Sequence, residues 1–402
     1  MSNRFRLFMQ VGLVCIVAFI SSISSISFAS TALADKNYQL LQRALLIYQN
    51  AVLNPWPTIP EDTRFRIGKK NTAVPLLIER LKATDDLPPY YSTNDDYDYN
   101  YDNTDYLNHK KPKNNQNSYT LTLAAGVKTF QERHGLTPDG IAGKNTLREL
   151  NVSPDERVKQ IEINMARWAE LAPHLSERFI LVNIPNYRLY LFDHDEEILN
   201  MKAIVGKPER ETPELFSTVT RIVFNPYWNV PKTIAHKDII PKIIENPSYL
   251  DDMNIRVYQH EEDTQEIDQY RVNWYNAREN GVPYHFRQDP GMQNALGLVK
   301  FEFKNESDVY LHDTPAKELF DQDERDLSSG CVRLEDPFAL ANYLMEPDPK
   351  WSDDRLQLIL DRGKTTYVKA ARPTSIVITY ITAWVDDNGE VNFRDDIYGK
   401  DN

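Results

Sequence analysis

The hydrophobic pattern changes period near residue 176, and that change divides the chain into two kinds of fold. Before it, apolar residues recur every three or four positions: Leu40, Leu41, Ala44, Leu45 and Tyr48, then Ala73 to Leu81, then Leu123, Val127 and Phe130, then Val158, Ile161, Met165 and Trp168. From Arg178 the runs are short and bounded by turn residues: Phe179 to Ile184, Tyr187 to Phe192, Met201 to Val205, Thr218 to Phe224, Leu298 to Phe303 and Val309 to His312. Asp336 to Met345 reads as a helix, and Thr365 to Lys369 and Ser375 to Val385 as closing strands. The expected fold is therefore multidomain α+β, helical first and β-rich after, and 402 residues leave room for two or three domains.

The N-terminus carries Arg4 and Arg6, an apolar run from Leu7 to Ile20, a Ser-rich stretch and Ala32-Leu33-Ala34. That order predicts a signal peptide over 1–34, cleaved after Ala34, because about 14 apolar residues fall short of the ~20 that span a bilayer. An uncleaved membrane anchor is the alternative. The expected location is the periplasm, with the inner membrane involved only if the segment is retained. A scaffold helix over 35–64 ends in the Pro55, Pro57, Pro60 cluster, and a second over 152–175 opens with Ser153, Pro154 and Glu156 as a capping box.

Between these helices, Phe130 to Leu136, Asp139-Gly140-Ile141-Ala142-Gly143-Lys144-Asn145-Thr146, Leu147 and Leu150 follow one another. Asp-Gly makes a tight turn, and Gly143 lets the backbone approach closely before a new helix. This stretch resembles the small three-helix peptidoglycan-binding domain, assigned here to 65–151. An ordinary helical bundle without a ligand is the plain alternative. Residues 85–118 interrupt it with an Asp/Asn/Tyr-rich tract (Tyr97-Asp98-Tyr99-Asn100-Tyr101-Asp102) too poor in aliphatic residues to offset ordering entropy, so a disordered insertion is expected.

The balance of 46 Lys and Arg against 59 Asp and Glu, net −13, has the wrong sign for holding nucleic acid. Losing Arg4 and Arg6 with residues 1–34 leaves 44 against 59, or −15. Only Cys331 then remains of the two cysteines, unpaired in an oxidising compartment. Its neighbours give it a purpose. Tyr310-Leu311-His312-Asp313-Thr314-Pro315 places a histidine at a strand end, and Leu327-Ser328-Ser329-Gly330-Cys331-Val332-Arg333 follows, with the thiol 19 residues beyond it. An imidazole that takes a thiol proton gives the thiolate–imidazolium pair of acyl transfer, and the Asp313 carbonyl is available to hold the second ring nitrogen.

These two segments closely resemble the L,D-transpeptidase (YkuD-type) catalytic domain, whose histidine is followed by a Ser/Thr-(His/Ser)-Gly-Cys motif. The likeness extends through Asn225-Pro226-Tyr227-Trp228-Asn229-Val230-Pro231 and Arg287 to Gly297, which look like the large periplasmic subgroup with a peptidoglycan-binding domain and a capping subdomain. It implies a β-sandwich-like catalytic domain over 176–385, a cap over about 230–290 and a C-terminal tail over 386–402. Asp313 departs from the family, which often has Gly there.

The resemblance implies that Cys331 attacks the L-centre carbonyl of diaminopimelate in a tetrapeptide stem and expels D-Ala. His312 relays the proton, and a second stem's amine resolves the thioester. Gly330 and Cys331 amides, with Tyr310, are expected at the oxyanion. Arg333 is expected to meet a stem carboxylate, or else to pair with Glu335 or Asp336. Ser329 is expected to orient the loop, and Tyr227 and Trp228 to begin the cap and contact substrate. Stem peptides and glycan strands are the expected partners, with wall synthases or muramidases as further ones. No cofactor or metal is expected, since the eight histidines form no HExxH pair. Two rivals stand beside this reading: the same acyl-enzyme used for hydrolysis, D-amino acid exchange or lipoprotein attachment, and a non-catalytic wall-binding protein.

Overall fold

In the computed structural model the described residues are 32–87 and 117–402; residues 1–31 of the expected signal segment, and 88–116 of the expected insertion, lie outside them. Helix α1 (Ala32–Leu53) leads through a proline-rich turn into α2 (Val74–Lys82), α3 (Leu121–Arg133) and α4 (Lys144–Leu150), and the chain returns in α5 (Pro154–Leu171). The capping box of α5 is formed, with Ser153 Oγ accepting from the Glu156 amide and Glu156 Oε2 accepting from the Ser153 amide. The strand-rich part comprises β1 (Arg178–Asn183), β2 (Arg188–Asp193), β3 (Glu196–Gly206), β4 (Leu215–Phe224) and β5 (Trp228–Asn229). A helical excursion follows: α6 (Lys232–Ile234), a π turn, α7 (Ile240–Glu245), α8 (Tyr249–Asp252), β6 (Ile255–Tyr258), α9 (Trp274–Asn280) and β7 (His285–Gln288). Then come β8 (Val299–Phe303), β9 (Leu311–His312), β10 (Asp326–Ser328), β11 (Val332–Leu334), α10 (Pro337–Met345), α11 (Asp353–Asp361), β12 (Thr366–Thr379), β13 (Ala383–Val385) and β14 (Val391–Phe393).

The strand order is β10-β3-β11-β9-β8-β4-β12-β1-β2, and β2 pairs again with β3. The expected β-sandwich is thus joined at one edge by a shared strand: the first half of β3 pairs with β2 and the second half with β11. Inside lie Ile180, Leu189, Val205, Ile222, Phe301, Leu311, Val332 and Ile376, with Leu340 and Leu344 of α10 packed on them. Their period of two along each strand leaves the alternate residues on the outer face. The two closing strands read from sequence are in fact one long β12, whose register with β4 shifts between Lys369 and Thr374, followed by the short β13.

Helices α1 and α5 bury Leu41, Tyr48, Ile161 and Trp168 against Phe179, Leu181, Val377 and Ala383, fixing the helix pair to the β-rich domain. The small helical domain has its own core of Val74, Leu77, Leu123, Val127, Phe130 and Leu150. Its entering and leaving strands are tied together: the Ile59 amide donates to Asn151 Oδ1 at 2.8 Å, Asn151 Nδ2 donates to the Ile59 carbonyl at 2.8 Å, and the Trp56 indole donates to the Val152 carbonyl at 3.1 Å.

Residues 386–402, expected as a tail, are packed. Phe393 is fully buried, β14 pairs with β13, Arg167 grips Asp401, and Tyr398 stacks on Tyr380. The polar look of this stretch hid its three aromatic and aliphatic anchors, Phe393, Ile397 and Tyr398.

Candidate active site

Strands β9 and β11 are parallel neighbours, pairing Leu311 with Val332 and His312 with Arg333. Parallel pairing sets the residue before β11, Cys331, beside the residue before β9, Tyr310; the Val332 amide donates to the Tyr310 carbonyl at 3.1 Å. Tyr310, through its hydroxyl and its main chain, favours the ionised Cys331 thiol, and Trp228 in turn favours the ionised Tyr310 hydroxyl. The Tyr310 ring also meets His312 edge to face at 5.7 Å.

His312 is buried, with Nδ1 2.5 Å from the Asp313 carbonyl. That acceptor fixes the proton on Nδ1 and leaves Nε2 with its lone pair. Burial, with the Arg333 cation second, pushes the imidazolium form down to about 3. Burial pushes the Cys331 thiol up, against the opposing pull of Tyr310, Lys300 and Arg333. Both shifts favour the uncharged forms, a thiol and a neutral imidazole, because both groups sit where charge is poorly solvated.

The loop before Cys331 is held from three sides. Ser328 Oγ accepts from the Gly330 amide at 3.1 Å and donates to the Cys331 carbonyl at 2.6 Å. Gly330 has φ +111°, and its carbonyl accepts from Thr212 Oγ1 at 2.8 Å. Tyr398 donates to the Gly206 carbonyl and accepts from the Thr212 amide, so the C-terminal segment braces the loop. The Gly330 amide is thus spent on Ser328, which removes it from the expected oxyanion donors. Ser328, Thr212 and Tyr398 were not singled out from sequence; nothing in a serine pair tells which hydroxyl turns inward. Ser329 points the other way: its Oγ accepts from Arg210 Nη1 at 2.8 Å, and the same Nη1 donates to Asp238 of the π turn at 2.5 Å.

The Asp313 side chain turns away from the ring, accepting from the Leu298 amide at 2.9 Å with Lys317 Nζ 2.8 Å from the other oxygen. It fits because residue 297 is glycine: a Cβ there would stand 2.2 Å from Asp313 Oδ2. Arg333 forms no ion pair among the described residues, and its buried Nε has no hydrogen-bond partner. The alternative partners are engaged elsewhere, Glu335 with the Lys202 amide and Asp336 as the cap of α10. The structure therefore gathers His312, Asp313, Tyr310, Trp228, Gly330, Cys331 and Arg333. Tyr227 stands apart, exposed under the Arg287 guanidinium 5.3 Å from its ring.

Residues 230–288 form a separate layer with its own core of Val230, Ile240, Leu250, Val257 and Phe286 around the β5-β7-β6 sheet. Asp238 of this layer reaches the Cys331 loop through Arg210 and Ser329. Among the described residues no three His, Cys, Asp or Glu side chains cluster as a metal site would require.

A family described as the L,D-transpeptidase catalytic domain (YkuD) matches residues 177–368, which include β9, Cys331 and β11. Just under half of the chain thus resembles a YkuD domain. A "Putative peptidoglycan binding domain" matches residues 103–150, spanning α3 and α4. A Haemophilus influenzae protein described as "Putative L,D-transpeptidase" is 35% identical over 222 residues, 55% of this chain and 44% of its own. The chain thus matches less than half the length of that relative. An L,D-transpeptidase (Yku) from Stackebrandtia nassauensis is 12% identical over 80% of this chain and 97% of its own, with TM-score 0.26. An L,D-transpeptidase from Mycobacterium smegmatis is 15% identical over 50% and 58%, with TM-score 0.24. Superpositions this loose add nothing to the sequence match. The packed C-terminal segment that braces the YkuD domain's loop lies outside residues 177–368.

Proposed function

We propose that this chain is an exported peptidoglycan L,D-transpeptidase in which Cys331 is the nucleophile and His312 the proton carrier. The observation that carries the reading is the half-buried Cys331 at the head of β11, beside Tyr310 and on a strand parallel to that of His312, whose tautomer is set by the Asp313 carbonyl. As sulfur attacks the L-centre carbonyl of diaminopimelate in a tetrapeptide stem, Nε2 of His312 takes the thiol proton. The C–N bond to terminal D-Ala then breaks, and the same proton passes to the leaving amine. The side-chain amine of a second stem attacks the thioester, the C–S bond breaks, and Cys331 regains a proton as a 3-3 cross-link forms. The Cys331 amide and the Tyr310 hydroxyl are the oxyanion donors in this scheme; in related acyl-transfer chemistry one such donor is worth about 3 kcal/mol. Arg333, with a free buried Nε, receives a stem carboxylate.

Incubation with disaccharide-tetrapeptides tests the reaction: dimers lacking one D-Ala are expected from the wild type and none from Cys331→Ala. Tripeptide monomers alone would assign the acyl-enzyme to water instead. Mass spectrometry after carbapenem exposure should find one adduct on Cys331, and an unmodified protein would overturn the catalytic reading in favour of a wall-binding role.

A further inference from the structure

The outer face of the sheet beside the catalytic pair carries an ordered set of charges. Register pairs Arg333 with His312 and His312 with Lys300, so these three side chains stand in one row across β11, β9 and β8. The adjoining row pairs Glu302 of β8 with Arg221 of β4, and Arg221 with Lys369 of β12. A cavity of about 600 Å³ opens over this second row, walled by Tyr310, whose carbonyl accepts from the amide of Val332, the residue after Cys331. Lys300 Nζ lies 4.1 Å from the centre of the Tyr310 ring and joins the cavity to the thiol.

The charges in the cavity do not cancel. Glu302 is shared by Arg221 and by Lys300 Nζ at 3.1 Å, which neutralises it twice over. Lys304 and Lys369 line the cavity, are exposed, and pair with no carboxylate among the described residues. Asp308 is the one other acid in the lining. Four cations against two carboxylates make this a positive groove on a chain of net charge −13, where a solvated surface of average composition would be negative.

We propose that this groove holds the free carboxylate of the acyl-donor stem that lies N-terminal to diaminopimelate, with Lys304 and Lys369 as its unpaired partners. The proposal rests on the transpeptidase reading and extends it from the bond that is cut to the part of the donor that is gripped. A stem whose reacting carbonyl lies at Cys331 runs its preceding residues past Tyr310 and Lys300 into the second row.

The test compares the wild type with Lys304→Gln/Lys369→Gln on two tetrapeptide donors, one with the free carboxylate at its second residue and one with that group amidated. The double variant should raise KM for the acid donor roughly three- to tenfold, the range of exposed charge contacts, with kcat unchanged and the amidated donor unaffected. Equal KM for both proteins on the acid donor, or an equal rise on both donors, would overturn the groove. Carbapenem acylation of Cys331, measured in parallel, should be the same in both proteins. A wild type that forms no adduct would overturn the transpeptidase reading itself, independently of the groove.

Discussion

The fit between Gly297 and Asp313 can be tested with a cycle of substitutions. Gly297 has φ +59°, and a Cβ added to it would stand 2.2 Å from Asp313 Oδ2 and 2.5 Å from Asp313 Cβ. Gly297→Ala therefore incurs two costs. The left-handed backbone costs about 1–2 kcal/mol for a residue with a Cβ. Displacing the carboxylate from the Leu298 amide, a charge-assisted bond of 2.9 Å, costs about 1.5–3 kcal/mol more. The Lys317 pair adds little, being half-exposed at the ammonium end. Urea unfolding should then show a loss of about 2.5–5 kcal/mol for Gly297→Ala alone, but only the backbone share, about 1–2 kcal/mol, when it is placed on Asp313→Gly. Because His312 uses the Asp313 carbonyl and not its carboxylate, Asp313→Gly should keep carbapenem acylation within a few-fold of the wild type. Equal cost of Gly297→Ala in both backgrounds would refute the steric argument, and a hundredfold loss of acylation in Asp313→Gly would refute the role given to the carbonyl.

Other consequences follow from the same geometry. With His312 held down to about 3, acylation should stay level as pH falls from 7 toward 4, and rise in alkali as the thiol ionises; an acid limb centred near 6.5 would contradict the assignment. The folded state binds the His312 proton only below about 3 and the unfolded chain below the ordinary 6.5. Stability from this group is therefore present above 6.5 and falls through that window on acidification by about 1.4 kcal/mol per pH unit, which urea titrations at pH 4 and 6 should register. Tyr398→Phe removes the hydroxyl between Gly206 and Thr212 and should cost about 1–3 kcal/mol while slowing acylation; stability lost with acylation intact would show that the C-terminal brace does not reach Cys331. Arg210→Ala unties Asp238 from Ser329 and should slow turnover of tetrapeptide with little change in melting; an unchanged rate would deny the cap any hold on the loop.

The change of hydrophobic period at Arg178 made the α+β class readable, because helix and strand faces are local properties of sequence. The spacing of His312 and Cys331 was legible for a similar reason: a strand end and a glycine-bearing loop are short motifs. What surrounds them was not. Ser328, Thr212, Arg210 and Tyr398 act on the Cys331 loop from positions up to 192 residues apart in the bonds they make, and only strand register brings them together. The shift of the pair toward its uncharged forms was hidden too, since it depends on burial and on the Arg333 cation across the parallel ladder. In the sequence Lys300 is one lysine among many, and only its pairing with His312 puts it in the row beside the catalytic pair.

The Ile59–Asn151 clasp has a mechanical meaning. A domain hung on one flexible linker sweeps a volume, and whatever it carries arrives at every distance with some frequency. Here both ends of the small helical domain are zipped at a common neck, and Thr137 is hydrogen-bonded to Asp323 and Arg148 to Asp395 across the boundary. Whatever that domain holds would stand at one offset from the thiol, so the molecule is built as a gauge whose span is set by its own dimensions.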